Sequence, residues 1–370
     1  LEVARENSIE IPSMCHDDKL KLYGSCGLCI VEIEGVAKPL RSCITEARDG
    51  MNVFTDSLEI RESRKVILEL MLSDHIGDCR PPCVRACPAG TDCQGYVGLI
   101  ANGQYKESLK LIKEQLPLPA SIGRVCPHPC ETACRRQLAE EPIAIAWLKR
   151  FVADIDLRDQ DEFIPEIKPA TGKSVAIIGG GPSGLSAAYY LATEGHKVVV
   201  YEAMPQLGGM LHYGIPQYRL PNEVLAREVD IIKQMGVQMK TGIRIGKDIK
   251  LNELRNNYHA VYVSIGAWHS MKLNCPGEEL DGVVGSIEFL TKFSAGTPVG
   301  IGKRVAVVGG GNTAMDTCRT AVRLGAEEVY ILYRRTKLEM PAKSTEVKEA
   351  EEEGVKFKFL VSPIEIMGED

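Results

Sequence analysis

Apolar and polar positions take three textures along the chain. Up to about residue 64, short alternating runs are cut by turns. Cys29 to Gly35 reads as a strand ending at a glycine, and Met51 to Thr55 as another. From about 65 to 160 the period becomes helical. Ile67, Leu68, Leu70, Met71 and Leu72 make one apolar face, and Leu99, Ile100, Leu109, Ile112 and Leu116 predict a helical hairpin. Prolines at 81, 82, 88, 117, 119, 127 and 129 punctuate the loops between those helices. A polar linker, 154–168, follows. From Lys173 onward the order is buried strand, glycine turn, amphipathic helix, strand, which predicts α/β architecture.

That α/β unit occurs twice. Ser174 to Ile178 leads into Gly179-Gly180-Gly181-Pro182-Ser183-Gly184, and Arg304 to Val308 leads into Gly309-Gly310-Gly311-Asn312-Thr313-Ala314. A helix follows each loop, then a second strand, Lys197 to Tyr201 or Val329 to Tyr333. Such a duplication points to two dinucleotide sites. In the first, Gly179 makes the tight turn, Gly181 admits a pyrophosphate and Gly184 lets helix pack on strand. The helix N-terminus offers its positive dipole end. Glu202 closes the next strand, where it would bond ribose hydroxyls and repel a 2′-phosphate, favouring FAD or NAD. In the second loop Ala314 replaces the third glycine, and the next strand ends in Arg334-Arg335. Two guanidinium groups there favour a 2′-phosphate and hence NADP. One charged hydrogen bond, about 1.5–3 kcal/mol, is enough to decide the nucleotide.

Composition adds one decisive feature. The 370 residues carry a formal charge of −6 without a polyanion-binding cluster, and the charged run from Lys343 to Glu353 reads as a solvated helix face. No apolar stretch reaches the roughly 18 residues of a membrane span, and no leader opens the chain, so a soluble, cytoplasmic protein is expected. The chain opens on Leu1 as if within a helix and stops soon after a second nucleotide loop, which suggests a piece of a longer polypeptide. All but Cys275 and Cys318 of the thirteen cysteines fall between Cys15 and Cys134. Without a leader, cysteines so dense favour metal over disulfides. Cys15, Cys26, Cys29 and Cys43 read C-x10-C-x2-C-x13-C, a spacing for four thiolates on iron, with zinc as the main alternative. Cys79, Cys83, Cys87 and Cys93 form a second group, and Cys126, Cys130 and Cys134 a third. Cys275 and Cys318 are expected to be buried small hydrophobes.

The first group, with Gly24, Gly27 and Gly35, resembles the N-terminal 2Fe–2S ferredoxin domain of respiratory complex I, iron hydrogenases and some formate dehydrogenases. From about Cys79 onward the chain resembles the glutamate synthase small subunit, dihydropyrimidine dehydrogenase and NADH-dependent ferredoxin:NADP oxidoreductase. The strings PCVRACPAG, GRVCPHPCETACRR, EEPIAIAWLKRF, GGGPSGLSAAYYL, YGIPQYRLP and VAVVGGGNTAMDTCRTAVRLG carry that likeness. It implies FAD on the first loop, with Gly209, Met210 and Arg219 beside it, NADPH or NADH on the second, and two 4Fe–4S clusters between. Arg219 by chemistry alone could serve a flavin or pyrophosphate oxygen. The cysteine pattern departs from the family at Ile76, which stands where the first cysteine belongs. His75 offers H-x3-C with Cys79, similar to the histidine-ligated cluster of complex I and iron hydrogenases. One cluster is therefore expected on His75, Cys79, Cys83 and Cys134. The other takes Cys87, Cys126, Cys130 and, because Lys149 is a poor ligand, Cys93.

The expected fold is α/β and α+β multidomain. A β-grasp 2Fe–2S domain (1–64, incomplete at its N-terminus) precedes a helical domain with two 4Fe–4S clusters (65–165). Tandem Rossmann-type FAD (166–298) and NAD(P) (299–370, truncated) domains follow. In relatives a further C-terminal part closes over the flavin, so FAD should be held weakly by this piece. The expected function is an FAD-dependent NAD(P)H oxidoreductase module. It would pass single electrons through 4Fe–4S and 2Fe–2S clusters to or from a formate dehydrogenase, hydrogenase or glutamate synthase large subunit. No acid–base or nucleophile constellation for carbon chemistry is evident. The alternative is an iron–sulfur adaptor without nicotinamide turnover.

Overall fold

The structure, a computed structural model, describes residues 1–17, 21–75, 79–158 and 162–368. Its chain divides into two units, Leu1–Cys79 and Arg80–Asp370. In the first, a short helix α1 (Glu2–Glu6) precedes an antiparallel sheet with β1 (Ile30–Ile33) between β2 (Leu40–Arg41) and β3 (Val53–Phe54). Both strands expected from the pattern are present, shortened to their central residues. Helix α2 (Leu58–Ser73) begins earlier than its apolar period, because Ser57 Oγ accepts the Ile60 amide at 3.2 Å and caps it. On α2, Arg64 donates to the carbonyls of Leu28 (2.9 Å) and Ile30 (2.8 Å), pinning the helix to the central strand.

The second unit begins with helices α3 (Pro82–Ala86), α4 (Cys93–Ala101), α5 (Tyr105–Lys113), α6 (Pro119–Val125), α7 (Pro129–Thr132) and α8 (Ile145–Arg158). The expected hairpin is α4–α5. Tyr96, Leu109, Ile112, Ala120 and Val152 fill the core of this helical layer. A parallel sheet of order β6-β5-β4-β7 follows. It is built from β4 (Ser174–Ile178), α9 (Pro182–Thr193), β5 (Lys197–Tyr201), α10 (Met210–Tyr213), α11 (Asn222–Gln234), β6 (Gln238–Lys240), α12 (Leu251–Asn257) and β7 (Ala260–Val263). Its central strands are covered on both faces and are accordingly almost unbroken Val, Ile and Ala. Helix α13 (Ser286–Ser294) leads to a second parallel sheet, β10-β9-β8. Its elements are β8 (Arg304–Val308), α14 (Asn312–Arg323), β9 (Glu328–Tyr333), α15 (Ser344–Glu352) and β10 (Lys356–Phe359). Among the described residues no helix is long and apolar enough to cross a membrane.

Buried charge joins these layers. Glu228 on α11 accepts the amides of Ala120 (2.6 Å) and Ser121 (2.9 Å) in the first turn of α6. Two of that helix's orphan donors are thereby satisfied from the neighbouring α/β layer. Lys113 reaches Asp156 at 3.4 Å and the Phe163 carbonyl at 2.9 Å. Between the two sheets, Arg219 donates to both Asp316 oxygens at 2.8 and 2.7 Å and to Glu346 at 2.5 Å. The ring of Tyr218 lies under the guanidinium groups of Arg319 and Arg323. The run Lys343–Glu353 is therefore not simply a solvated face: Glu346, Val347 and Ala350 are buried.

Burial pushes the Glu228 carboxyl up from 4.5 to about 7, against the two amides that favour its ionised form. The folded protein holds that proton more tightly than the unfolded chain, so this group's contribution weakens stability as pH rises from 4.5 to about 7. Glu228→Gln should flatten the stability profile across that window in chemical denaturation. An unchanged slope would contradict the assignment.

Candidate redox and nucleotide sites

Two pairs of thiols, Cys15 with Cys26 and Cys29 with Cys43, lie in the first unit. The Cys26 amide donates to Cys15 Sγ at 3.2 Å. Cys43 packs with Cys29 in one buried cluster and lies within the electrostatic reach of Cys15 and Cys26. Gly27, between Cys26 and Cys29, has a φ of +76°, so the loop turns left-handed where a side chain would be strained. Burial raises the Cys26 thiol, but the amides of Leu28, Met14 and Cys15 outweigh it and bring the group down to about 7. Cys43 goes the other way, to about 11, through burial and then its neighbour Cys29. Backbone amides aimed at clustered sulfurs are what a 2Fe–2S centre requires. The expected set supplies four thiols, the ligand chemistry that such a group takes, in two close pairs.

The helical layer gathers its cysteines less symmetrically. Cys93 Sγ donates to the Cys83 carbonyl at 3.8 Å. Cys93, as a nearby donor, brings Cys87 down to about 4 and also lowers Cys130. Cys87 also donates to Thr91 Oγ1 at 3.5 Å. Cys83 feels the charges of Cys130 and Cys134, while Cys126 Sγ accepts the His128 amide at 3.3 Å. Lys149 is buried, and its charge favours the Cys130 thiolate. In the first unit, His75 Nε2 lies 3.2 Å from Cys79 Sγ; the expected fork at Ile76 falls outside the described residues. Among the described residues no three His, Cys, Asp or Glu side chains group as they would around one metal ion. Cys318 is fully buried as expected, whereas Cys275 is only half-buried, on an irregular stretch that covers it incompletely.

The first glycine loop is shaped by close backbone approach. A Cβ on Gly184 would lie 1.9 Å from the Gly179 carbonyl oxygen, so only glycine lets α9 pack there. Gly209 faces Gly181, and a Cβ on it would stand 2.8 Å from the Gly181 Cα. These two bare backbones, with Met210 opening α10, form a cradle beside the α9 N-terminus, where Pro182 and Ser183 stand. Ser183 Oγ bonds the Tyr262 hydroxyl at 2.9 Å. Glu202 is buried, and its two oxygens accept the Gly180 and Met204 amides, both at 2.7 Å. Its place at the end of β5 is the expected one, and its carboxylate also braces the loop.

The second loop is looser. Ala314 Cβ would be 3.7 Å from a Cβ on Gly309, room that the first loop lacks. Gly311 caps α14, and Asn312 and Thr313 open its first turn. Asn312 Oδ1 accepts the Lys343 amide at 3.1 Å. Arg334 and Arg335 are exposed where β9 ends, and the Arg335 charge helps hold Glu339 low after the Thr336 hydrogen bonds. Arg219 is placed differently from expectation. Its guanidinium, read in the sequence as a flavin or pyrophosphate contact, is engaged by Asp316 and Glu346. Sequence reasoning missed Asp316, Glu346, Glu228 and Lys343. For the three acids the available signal was a carboxylate interrupting the apolar face of its helix; Lys343, which precedes α15, carried none.

Residues 173–370 match the pyridine nucleotide-disulphide oxidoreductase family, more than half of the chain, and the protein belongs to that family. Residues 73–161 match the 4Fe–4S domain II of dihydropyrimidine dehydrogenase, and residues 1–57 match a 2Fe–2S iron–sulfur cluster binding domain. The chain is 44% identical over 312 residues to the NADP(+)-dependent formate dehydrogenase subunit beta of Moorella thermoacetica, covering 78% of this chain and 44% of that one. It is 46% identical over 291 residues to the NADPH-Fe(3+) oxidoreductase subunit beta of Geobacter sulfurreducens, covering 77% and 43%. The glutamate synthase [NADPH] small chain of Escherichia coli is 38% identical over 301 residues, covering 77% and 63%. The chain thus spans less than half the length of the first two of these relatives.

Proposed function

We propose that the chain is the FAD-dependent NAD(P)H oxidoreductase module of a larger electron-transfer protein. The carrying observation is that one unit holds two dinucleotide loops beside a thiol-rich helical layer, with the Gly181–Gly209 cradle cleared of side chains. A bound flavin exchanges electron pairs with a nicotinamide and single electrons with iron–sulfur centres. Gly179, Gly181, Gly184 and Gly209 would admit its pyrophosphate, and Glu202 would fix its ribose side. Gly309, Gly311, Asn312 and Thr313 would hold the nicotinamide nucleotide. Arg334 and Arg335 would take its 2′-phosphate and favour NADP.

The finer arrangement belongs to the same proposal. The N-terminal domain would be a β-grasp ferredoxin domain, with a 2Fe–2S centre on Cys15, Cys26, Cys29 and Cys43. His75 and Cys79 would ligate a 4Fe–4S cluster in a set that the family resemblance extends to Cys83 and Cys134. Cys87, Cys93, Cys126 and Cys130 would hold a second. The contacts of Cys93 with Cys87 and Cys130 support its place there, and the 3.2 Å approach of His75 to Cys79 supports the histidine. An imidazole in place of a thiolate removes one negative charge and should raise that cluster's potential. The relatives suggest a partner resembling a formate dehydrogenase or the large subunit of glutamate synthase, and the resemblance of the N-terminal domain adds a hydrogenase.

In anaerobic protein reconstituted with FAD, NADPH should bleach the flavin band, at lower concentration than NADH does. A band that persists while dithionite still reduces the clusters would leave only an iron–sulfur adaptor. His75→Ala should abolish or shift one 4Fe–4S paramagnetic resonance signal; an unchanged spectrum would remove it from the ligand set.

A further inference from the structure

One segment touches both the second dinucleotide loop and a candidate cluster cysteine. The Ala342 amide donates to the Gly310 carbonyl at 3.1 Å, and the Lys343 amide donates to Asn312 Oδ1, also at 3.1 Å. Both acceptors belong to the glycine loop that opens α14. From the same residue, the Lys343 ammonium extends to the backbone carbonyl of Cys126. The acid at ion-pair distance from it among the described residues is Glu346, at 3.9 Å, and that carboxylate is engaged by Arg219 at 2.5 Å. The lysine side chain is 15% exposed. A positive charge in such a place is screened far less than one in open solvent.

We propose that Lys343 couples nucleotide occupancy of the second loop to the reduction of the 4Fe–4S cluster that Cys126 helps to hold. The proposal rests on the functional reading above. The ammonium lies against the backbone of one cluster ligand, so its field favours the extra electron there. A nucleotide pyrophosphate at Gly309–Thr313 brings negative charge to the loop that carries the lysine backbone. That charge draws the ammonium from the Cys126 carbonyl toward the pyrophosphate, its field at the cluster falls, and the cluster becomes harder to reduce. By linkage the same free energy appears in reverse: the reduced protein binds the nucleotide less tightly than the oxidised protein. Coupling in this direction would favour release of nucleotide once electrons have reached the helical layer.

The test is an anaerobic redox titration followed by paramagnetic resonance, with and without 2′-phospho-ADP-ribose. This probe has the pyrophosphate and 2′-phosphate but no nicotinamide, so it cannot accept a hydride. In the unaltered protein one of the two 4Fe–4S midpoints should fall on adding the probe, with a matching three- to tenfold weaker probe affinity in the reduced state. Tenfold corresponds to 59 mV for a one-electron couple. Lys343→Met should abolish most of that shift, and Lys343→Arg should retain it. A midpoint indifferent to the probe, or an equal shift in Lys343→Met, would overturn the coupling. Cluster signals and probe binding, recorded on the same samples, report separately on the functional reading; absence of either removes that reading and the coupling with it.

Discussion

A single buried carboxylate sets the relation between the cysteine layer and the first α/β layer. Glu228 on α11 takes the place of solvent at the start of α6, accepting two amides that would otherwise be orphaned. Helix α6 ends at Cys126, so whatever holds its first turn also fixes where that cysteine stands. Electron transfer between a flavin and a cluster needs a constant separation, and a flexible linker would not provide one. Removing one partner from such a buried polar contact typically costs about 1–3 kcal/mol. The same solution recurs between the two sheets, where Arg219 is held by Asp316 and Glu346. Charged residues in this chain therefore do architectural duty at both seams.

The nucleotide loops differ in how much they tolerate. The first is so tight that Gly184 has no alternative, and the Glu202 carboxylate braces it from beneath. The second accepts Ala314 and is overlaid by residues 341–343, which return to Gly310 and Asn312. A first loop closed to any side chain at Gly184 suits a resident group, and a second with room for Ala314 suits a nucleotide that comes and goes. That contrast follows from side-chain volume at one position in each loop.

Much of this was legible in the chain. Strands β4 and β5 have the limits that their apolar runs suggest, because strands buried on both faces must be apolar throughout; β8 has its expected limits too, as a largely exposed edge strand. The glycine loops were legible for the same reason that they work: backbone contact leaves no other residue type. The start of α2 was not, since its first turn lacks an apolar period and only Ser57 marks it. Arg219 and the run from Lys343 were misjudged because a charged residue reads as solvated until its buried partner is known. Those partners lie about a hundred residues away in sequence, and periodicity carries no information over that range. That Cys15, Cys26, Cys29 and Cys43 belong to a 2Fe–2S type of domain was readable from spacing, whereas the nearness of Cys93 to Cys87 and Cys130 needed the fold.

The account depends on iron and sulfide occupying these thiols next to a flavin. The most direct test is elemental and acid-labile sulfide analysis of anaerobically prepared protein, with flavin extracted from the same sample. One 2Fe–2S and two 4Fe–4S centres predict about ten irons and about ten sulfides per chain, together with FAD. Zinc without sulfide, or thiols paired as disulfides in a preparation that carries no flavin, would contradict it.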